Sequence, residues 1–201
     1  MQYSSPKSLQ DNHPRIIAGV DEAGRGALAG PVVACCAVLK PTFHLHDQVN
    51  DSKKLSENKR YGLFDDLLDH IFLGIGLYSH RAIKIQNILT VTLNAMATAV
   101  RKTNTHFDHI IIDGNKAPHL THSFETMVKA DAKVTEVMVA SICAKVIRDR
   151  LMLKYNRIYK GYGFDAHKGY GTKVHYDALF KKGPCPVHRT SFNLNRQLTL
   201  F

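Results

Sequence analysis

The sequence predicts an α/β protein built on one mixed β-sheet flanked by helices, with a helical segment at its C-terminal end. Three observations carry this prediction. Apolar runs of strand length come early in the chain. Helix-period stretches then alternate with the later runs. The last third is helical in pattern, interrupted by a glycine-rich loop.

Each element follows from its residues. Arg15 to Val20 reads as a strand that runs into Asp21, and Gly30 to Leu39 is a continuous apolar run suited to a buried neighbouring strand. Ser56 suits a helix N-cap, and Leu63, Phe64, Leu67, Leu68 and Ile71 give the helix after it an apolar face. Phe72 to Tyr78 reads as a third strand. Ile85, Ile88, Leu89, Met96 and Val100 predict one helix between about Arg81 and Lys102. His109 to Ile112 is a short strand ending on Asp113, followed by the turn residues Gly114 and Asn115. A further strand is expected near Lys133, then a long helix from about Met138 to Tyr159. Gly161 to Gly171 is the glycine-rich loop, and a last helix is expected from about Thr172 to Lys182.

A chain of 201 residues suffices for one domain with a sizeable core. Hydrophobic residues make up 44% and charged residues 22%, a balance that excludes a disordered chain. No apolar run approaches the roughly 18 residues of a membrane span. Residues 1–14 are polar and read as a flexible tail without the pattern of a secretion signal, and a cytoplasmic protein is expected; a monomer is expected as well. The four cysteines include no C-x-x-C pair, which argues against a zinc site and for free thiols in a reducing compartment. The formal net charge of +10 favours a polyanionic partner, because neutralised phosphates release counterions.

In a basic protein the carboxylates stand out by position. Asp65, Asp66 and Asp69 fall on the polar face of a helix. Asp21 and Glu22, by contrast, end an apolar strand in front of a Gly-x-Gly turn, Asp113 ends another, and Asp131 precedes the strand expected near Lys133. Strand ends of one sheet can converge. Converging carboxylates repel and are costly to bury unless a cation compensates them. Mg²⁺ suits carboxylates together with substrate phosphate oxygens, and a pair of ions about 4 Å apart serves phosphodiester hydrolysis. Helix caps and turn carboxylates are the competing account of the same residues.

The motifs taken together resemble the type 2 ribonuclease H family, ribonuclease HII. They are GVDEAGRG at Gly19–Gly26, LAGPVVA at Leu28–Ala34, DSKKLS at Asp51–Ser56, IDGN at Ile112–Asn115, Asp131 with ASICAKVIRDR at Ala140–Arg150, YGFDAHKGYGT at Tyr162–Thr172 and HRTSF at His188–Phe192. The resemblance implies a ribonuclease H-like sheet over residues 15–192, with the C-terminal helical segment included. It implies four acidic residues, Asp21, Glu22, Asp113 and Asp131, as catalytic residues that bind two Mg²⁺ or Mn²⁺ ions. The implied substrates are the RNA strand of RNA–DNA hybrids and single ribonucleotides embedded in duplex DNA. Cleavage is expected 5′ to the ribonucleotide, leaving 5′-phosphate and 3′-hydroxyl ends. Gly24, Arg25 and Gly26 would sense the 2′-hydroxyl, and Tyr170 would stack on the next sugar. Ser52, Lys53, Lys145, Arg148 and Arg189 look like phosphate contacts. Ala27 and Ala130 depart from the family pattern, which usually has Pro and Gly there, and predict small changes in loop geometry.

Residues 193–201 form a second tail. Gln197, Leu198, Leu200 and Phe201 resemble the peptide by which bacterial replication and repair proteins dock on the sliding clamp. Leu and Phe anchors on a terminal segment suit a hydrophobic pocket. The alternative from another class is a catalytically idle hybrid-binding module, which would bind nucleic acid without metal.

Overall fold

The computed structural model describes residues 15–43, 49 and 56–195. Strands β1 (Ile17–Ala23), β2 (Val32–Leu39) and β3 (Ile71–Tyr78) form an antiparallel meander, and β4 (His109–Asp113) and β5 (Phe124–Met127) add to the other side of β1 in parallel. The order is β3-β2-β1-β4-β5, a mixed sheet with β1 at its centre. The helices are α1 (Glu57–Leu67), α2 (His80–Gln86), α3 (Ile88–Lys102), α4 (Thr135–Ile158), α5 (Phe164–His167) and α6 (Lys173–Lys182).

Strand periodicity sorts the core into two layers. Val32, Ala34, Cys36 and Val38 of β2 join Ala18 and Val20 of β1 and pack against Val91, Ala95, Met96 and Ala99 of α3. The alternate residues Val33, Cys35 and Ala37 pack with Leu63, Phe64 and Leu67 of α1 and with Val139 to Val146 of α4. Close approach depends on glycine at two places. A Cβ on Gly19 would lie 2.2 Å from the Glu136 carbonyl carbon at the start of α4, and one on Gly76 would lie 1.9 Å from the Ala95 carbonyl oxygen of α3.

The fold class and the early strands agree with the sequence prediction, and Ser56 caps α1 by accepting from the Lys59 amide. Two elements differ. The helix expected over 81–102 is broken at Asn87, which adopts φ 72° and caps α3 by accepting from the Thr90 amide at 3.0 Å. Such a positive φ is uncommon outside glycine, and neither glycine nor proline stands there to announce the break. The strand expected near Lys133 is absent. Ala130–Ala132 form a 3-10 turn, and α4 starts at Thr135. The fifth strand is instead Phe124–Met127, paired with β4 in the register Asp113↔Met127. It is a short edge strand with three of its four residues exposed, so it lacks the apolar alternation that reveals a strand.

The C-terminal segment packs on the far end of α4 through Met152, Tyr162, Phe164, Ala178 and Val187. It also grips the β1–β2 connection: the Leu28 amide donates to the Gly169 carbonyl, Gly30 to Val187, and Arg189 to Leu28. Two buried histidines order this segment. Nδ1 of His188 lies 2.9 Å from the Cys185 amide and 3.2 Å from the Cys185 carbonyl, and its Nε2 stands 3.0 Å from Nε2 of His175. Nδ1 of His175 then donates to the Tyr170 carbonyl at 2.9 Å. One of the two facing Nε2 atoms must lack a proton, so the two rings cannot both be charged.

Burial holds the His175 imidazole down, to about 4, against a usual value near 6.5. The stabilisation is present above the unfolded value and is lost as pH falls from about 6.5 toward 4, on the order of 3 kcal/mol. Unfolding measurements from pH 7 to 4.5 should show this loss, and His175→Gln should flatten it. In the sheet, Gly76→Ala must push α3 off β3 and should cost roughly 1–3 kcal/mol, read as a lower melting temperature.

Candidate active site

Period-two alternation along β1 puts Gly19, Asp21 and Ala23 on the face that α4 covers. Asp21 is therefore almost sealed from solvent, at 6% exposure. Burial pushes its carboxyl up to about 8, helped by the charges of Glu22 and Asp113 and opposed by a hydrogen bond from Ser141. Glu22 is raised for the same first reason, with the Arg25 guanidinium 3.3 Å away lowering it and Asp113 raising it. Asp113, at the end of β4, accepts from the Ala130 amide at 2.7 Å and from the Asp131 amide at 3.5 Å. β1 and β4 are parallel neighbours, so both strands end on the same side of the sheet.

The structure thus brings Asp21, Glu22 and Asp113 into electrostatic contact. It holds Asp131 beside Asp113 by a backbone bond, in a 3-10 turn and not before a strand. Among the described residues, no three His, Cys, Asp or Glu side chains stand close enough to hold an ion by themselves.

Beside the acids lies a cleft of about 430 Å³, lined by Glu22, the Gly24-Arg25-Gly26 turn, Arg60, Ser141, Lys145 and Tyr170 among others. Gly24 needs its φ of 97°, and a Cβ there would meet the Arg148 side chain at 2.0 Å. The Ala27 amide donates to the Gly24 carbonyl at 3.4 Å, a bond that proline could not make. Lys145 pairs with Asp149 at 2.9 Å and lies 5.6 Å from the Tyr170 ring centre.

Arg148 and Arg189 are not where the sequence suggested. Both were expected among phosphate contacts, and both are fully buried. The Arg148 guanidinium donates to the carbonyls of Ala29 and Pro31, and that of Arg189 to the carbonyls of Gly24, Arg25, Gly30 and Pro31. As folded, they hold the β1–β2 connection from behind and present nothing to solvent. Ser52 and Lys53 lie outside the described residues, as do Gln197, Leu198, Leu200 and Phe201.

Two cleft residues were missed. Ser141 sits within the motif Ala140–Arg150 but carries no charge to single it out. Arg60 looks like one more solvated charge on α1 until the fold turns it to the cleft.

The sequence model of the Ribonuclease HII family matches residues 18–195. A Ribonuclease HII of Caldanaerobacter subterraneus subsp. tengcongensis is 43% identical over 187 residues, covering 92% of this chain and 77% of the relative. The ribonuclease H2 from Pyrococcus horikoshii OT3 has a similar structure, with a TM-score of 0.74 at 25% identity, covering 89% of this chain and 94% of that one. Two more distant structures share the fold. The PCNA:RNase HII complex from Archaeoglobus fulgidus gives a TM-score of 0.73 at 23% identity, over 92% of this chain and 98% of that one. Bst-RNase HIII in complex with Mn²⁺ gives 0.67 at 16%, over 90% and 68%. With all five strands but for Ile17, and every residue that lines the cleft, inside the matched span, the chain belongs to the ribonuclease HII family, endonucleases that hydrolyse the RNA strand of RNA–DNA hybrids.

Proposed function

We propose that this ribonuclease also cleaves 5′ to single ribonucleotides embedded in duplex DNA, by two-metal-ion catalysis that leaves 5′-phosphate and 3′-hydroxyl ends. The observation that carries the reading is the Asp21 carboxyl, buried among like charges and pushed up to about 8, directly beside the Gly24–Gly26 turn and its cleft. A buried carboxylate with acidic neighbours is stabilised by a divalent cation.

Asp21, Glu22, Asp113 and Asp131 would hold the ions. They supply hard oxygen donors, which fit Mg²⁺ or Mn²⁺. Mg²⁺ usually takes one or two carboxylates and completes its shell with water and substrate phosphate, so a closed protein cage is not required. When bound, the ions supply an activated water and stabilisation of the leaving oxygen. Mn²⁺ bound to a ribonuclease HIII of the same fold supports the choice of metal.

The remaining roles belong to the chain itself. Ser141 orients Asp21 by donating to it. The amides of the Gly24–Gly26 turn would meet the 2′-hydroxyl, the group that marks a ribonucleotide. Tyr170, with Lys145 and Arg148 against its ring, would pack on the neighbouring sugar. Lys145 and Arg60 line the same cleft and suit backbone phosphates.

The expected setting is ribonucleotide excision repair and DNA replication. The segment Gln197-Leu198-Thr199-Leu200-Phe201 would dock on the sliding clamp. The archaeal ribonuclease HII found in complex with PCNA supports a clamp partner.

Asp21→Asn and Asp113→Asn should each lower Mg²⁺-dependent cleavage of a duplex with one ribonucleotide by more than about a hundredfold, beyond the loss typical of an outer-shell partner. The metal-free variants should melt no lower than the parent. Full activity in Asp21→Asn, or tight hybrid binding with no cleavage by the parent in either metal, would defeat the mechanism. Deleting residues 197–201 should abolish binding to purified bacterial clamp and leave cleavage of free substrate unchanged. Equal clamp binding by the truncated chain would sink the docking role.

A further inference from the structure

The two largest fully buried side chains in the described protein are Arg148 and Arg189. Buried cations normally meet a carboxylate. Here every hydrogen bond found for the two guanidiniums goes to a neutral backbone carbonyl of the stretch from Gly24 to Pro31. Arg189 donates through Nη2 to Gly24 at 2.7 Å and Pro31 at 3.2 Å, through Nη1 to Arg25 at 2.8 Å, and through Nε to Gly30 at 3.1 Å. Arg148 donates through Nε to Pro31 and through Nη2 to Ala29, both at 3.1 Å, while its Nη1 is buried without a partner. Such a pair is an expensive way to fasten a loop, since apolar packing would serve the loop's stability as well or better.

The peptide plane explains what the arrangement achieves. In a trans peptide the C=O of one residue and the N–H of the next point in opposite directions. Drawing the Gly24 and Arg25 carbonyls inward onto Arg189 therefore turns the Arg25 and Gly26 amides outward, on the turn that lines the cleft. Two positive charges behind the turn add to the pull of those amides on an oxygen in front of it. Arg148 links this turn to the other sugar-facing group: its guanidinium lies 5.1 Å from the Tyr170 ring centre and would touch any Cβ placed on Gly24.

We propose that Arg148 and Arg189 are positioning residues for sugar recognition, which aim the Arg25 and Gly26 amides at the 2′-hydroxyl and so set the preference for ribose over deoxyribose at the scissile nucleotide. This rests on the assignment of the turn to the 2′-hydroxyl made above. Burial, with the neighbouring Arg148 charge, also pushes the Arg189 guanidinium down to about 9, as expected of a cation without an acid partner. Lysine cannot replace this function, because a single ammonium does not span four carbonyls in fixed directions.

The test compares full-length parent and Arg189→Lys by fluorescence anisotropy in EDTA, where no hydrolysis occurs. The probes are two duplexes identical except for one ribonucleotide in place of a deoxyribonucleotide. The parent should favour the ribonucleotide duplex. Arg189→Lys should bind the all-DNA duplex within about twofold of the parent and the ribonucleotide duplex on the order of tenfold more weakly, a loss of one well-aimed contact. The thermal shift on adding Mg²⁺ should persist. A folded Arg189→Lys with an undiminished preference, or one that loses both duplexes equally, overturns the proposal and leaves a merely structural clamp. Absence of preference in the parent overturns the assignment of the turn itself, and the proposal with it. If Arg189→Lys does not fold, Arg148→Lys decides by the same ratio.

Discussion

The contact between α4 and the central strand β1 is the constraint on which the rest depends. Gly19 removes the side chain that would collide with the Glu136 backbone, so the helix lies directly on the strand. One stripe of α4 then runs beneath the whole site at helical spacing. Ser141 reaches Asp21, Lys145 enters the cleft, Arg148 supports the Gly24 turn, and Met152 fills the space beneath Gly30. A shift of this helix would move metal ligands, turn and tyrosine together.

The charges are arranged in layers with opposite signs. In front, burial and the neighbouring Asp113 charge raise the proton affinity of Asp21 and Glu22 at the end of β1. Behind the β1–β2 connection, two guanidiniums are sealed against backbone carbonyls. The turn between them is short, and its amides are polarised from behind. Folding alone does not require either cluster. Both oppose stability in isolation, since burying unpaired charge is costly, and both fit a site that awaits a polyanion and its cations.

The C-terminal segment contributes from a distance. Through the His188–His175 chain it fixes the Tyr170 carbonyl, and through Arg189 it reaches back to Gly24, far away in sequence. The loop between α5 and α6 is thus held through the Tyr170 carbonyl by a buried histidine, and Tyr170 lines the cleft.

The sequence by itself determined the mixed sheet, the early strands and the long helix, and it singled out Asp21, Glu22 and Asp113, because strand-end carboxylates behind apolar runs break the ordinary pattern of solvated charge; Asp131 lies in a 3-10 turn where a strand was expected. It did not reveal β5 or the break at Asn87. An exposed edge strand has no alternating face, and a single asparagine with a positive φ interrupts a helix without changing its periodicity. The arginines mark the same boundary. In sequence Arg148 and Arg189 resemble phosphate contacts, while Arg60 is not singled out. Only the tertiary structure placed Arg60 in the cleft and buried the other two behind it, because burial is decided by what packs on a residue from elsewhere in the chain, and that is a long-range property no local pattern contains.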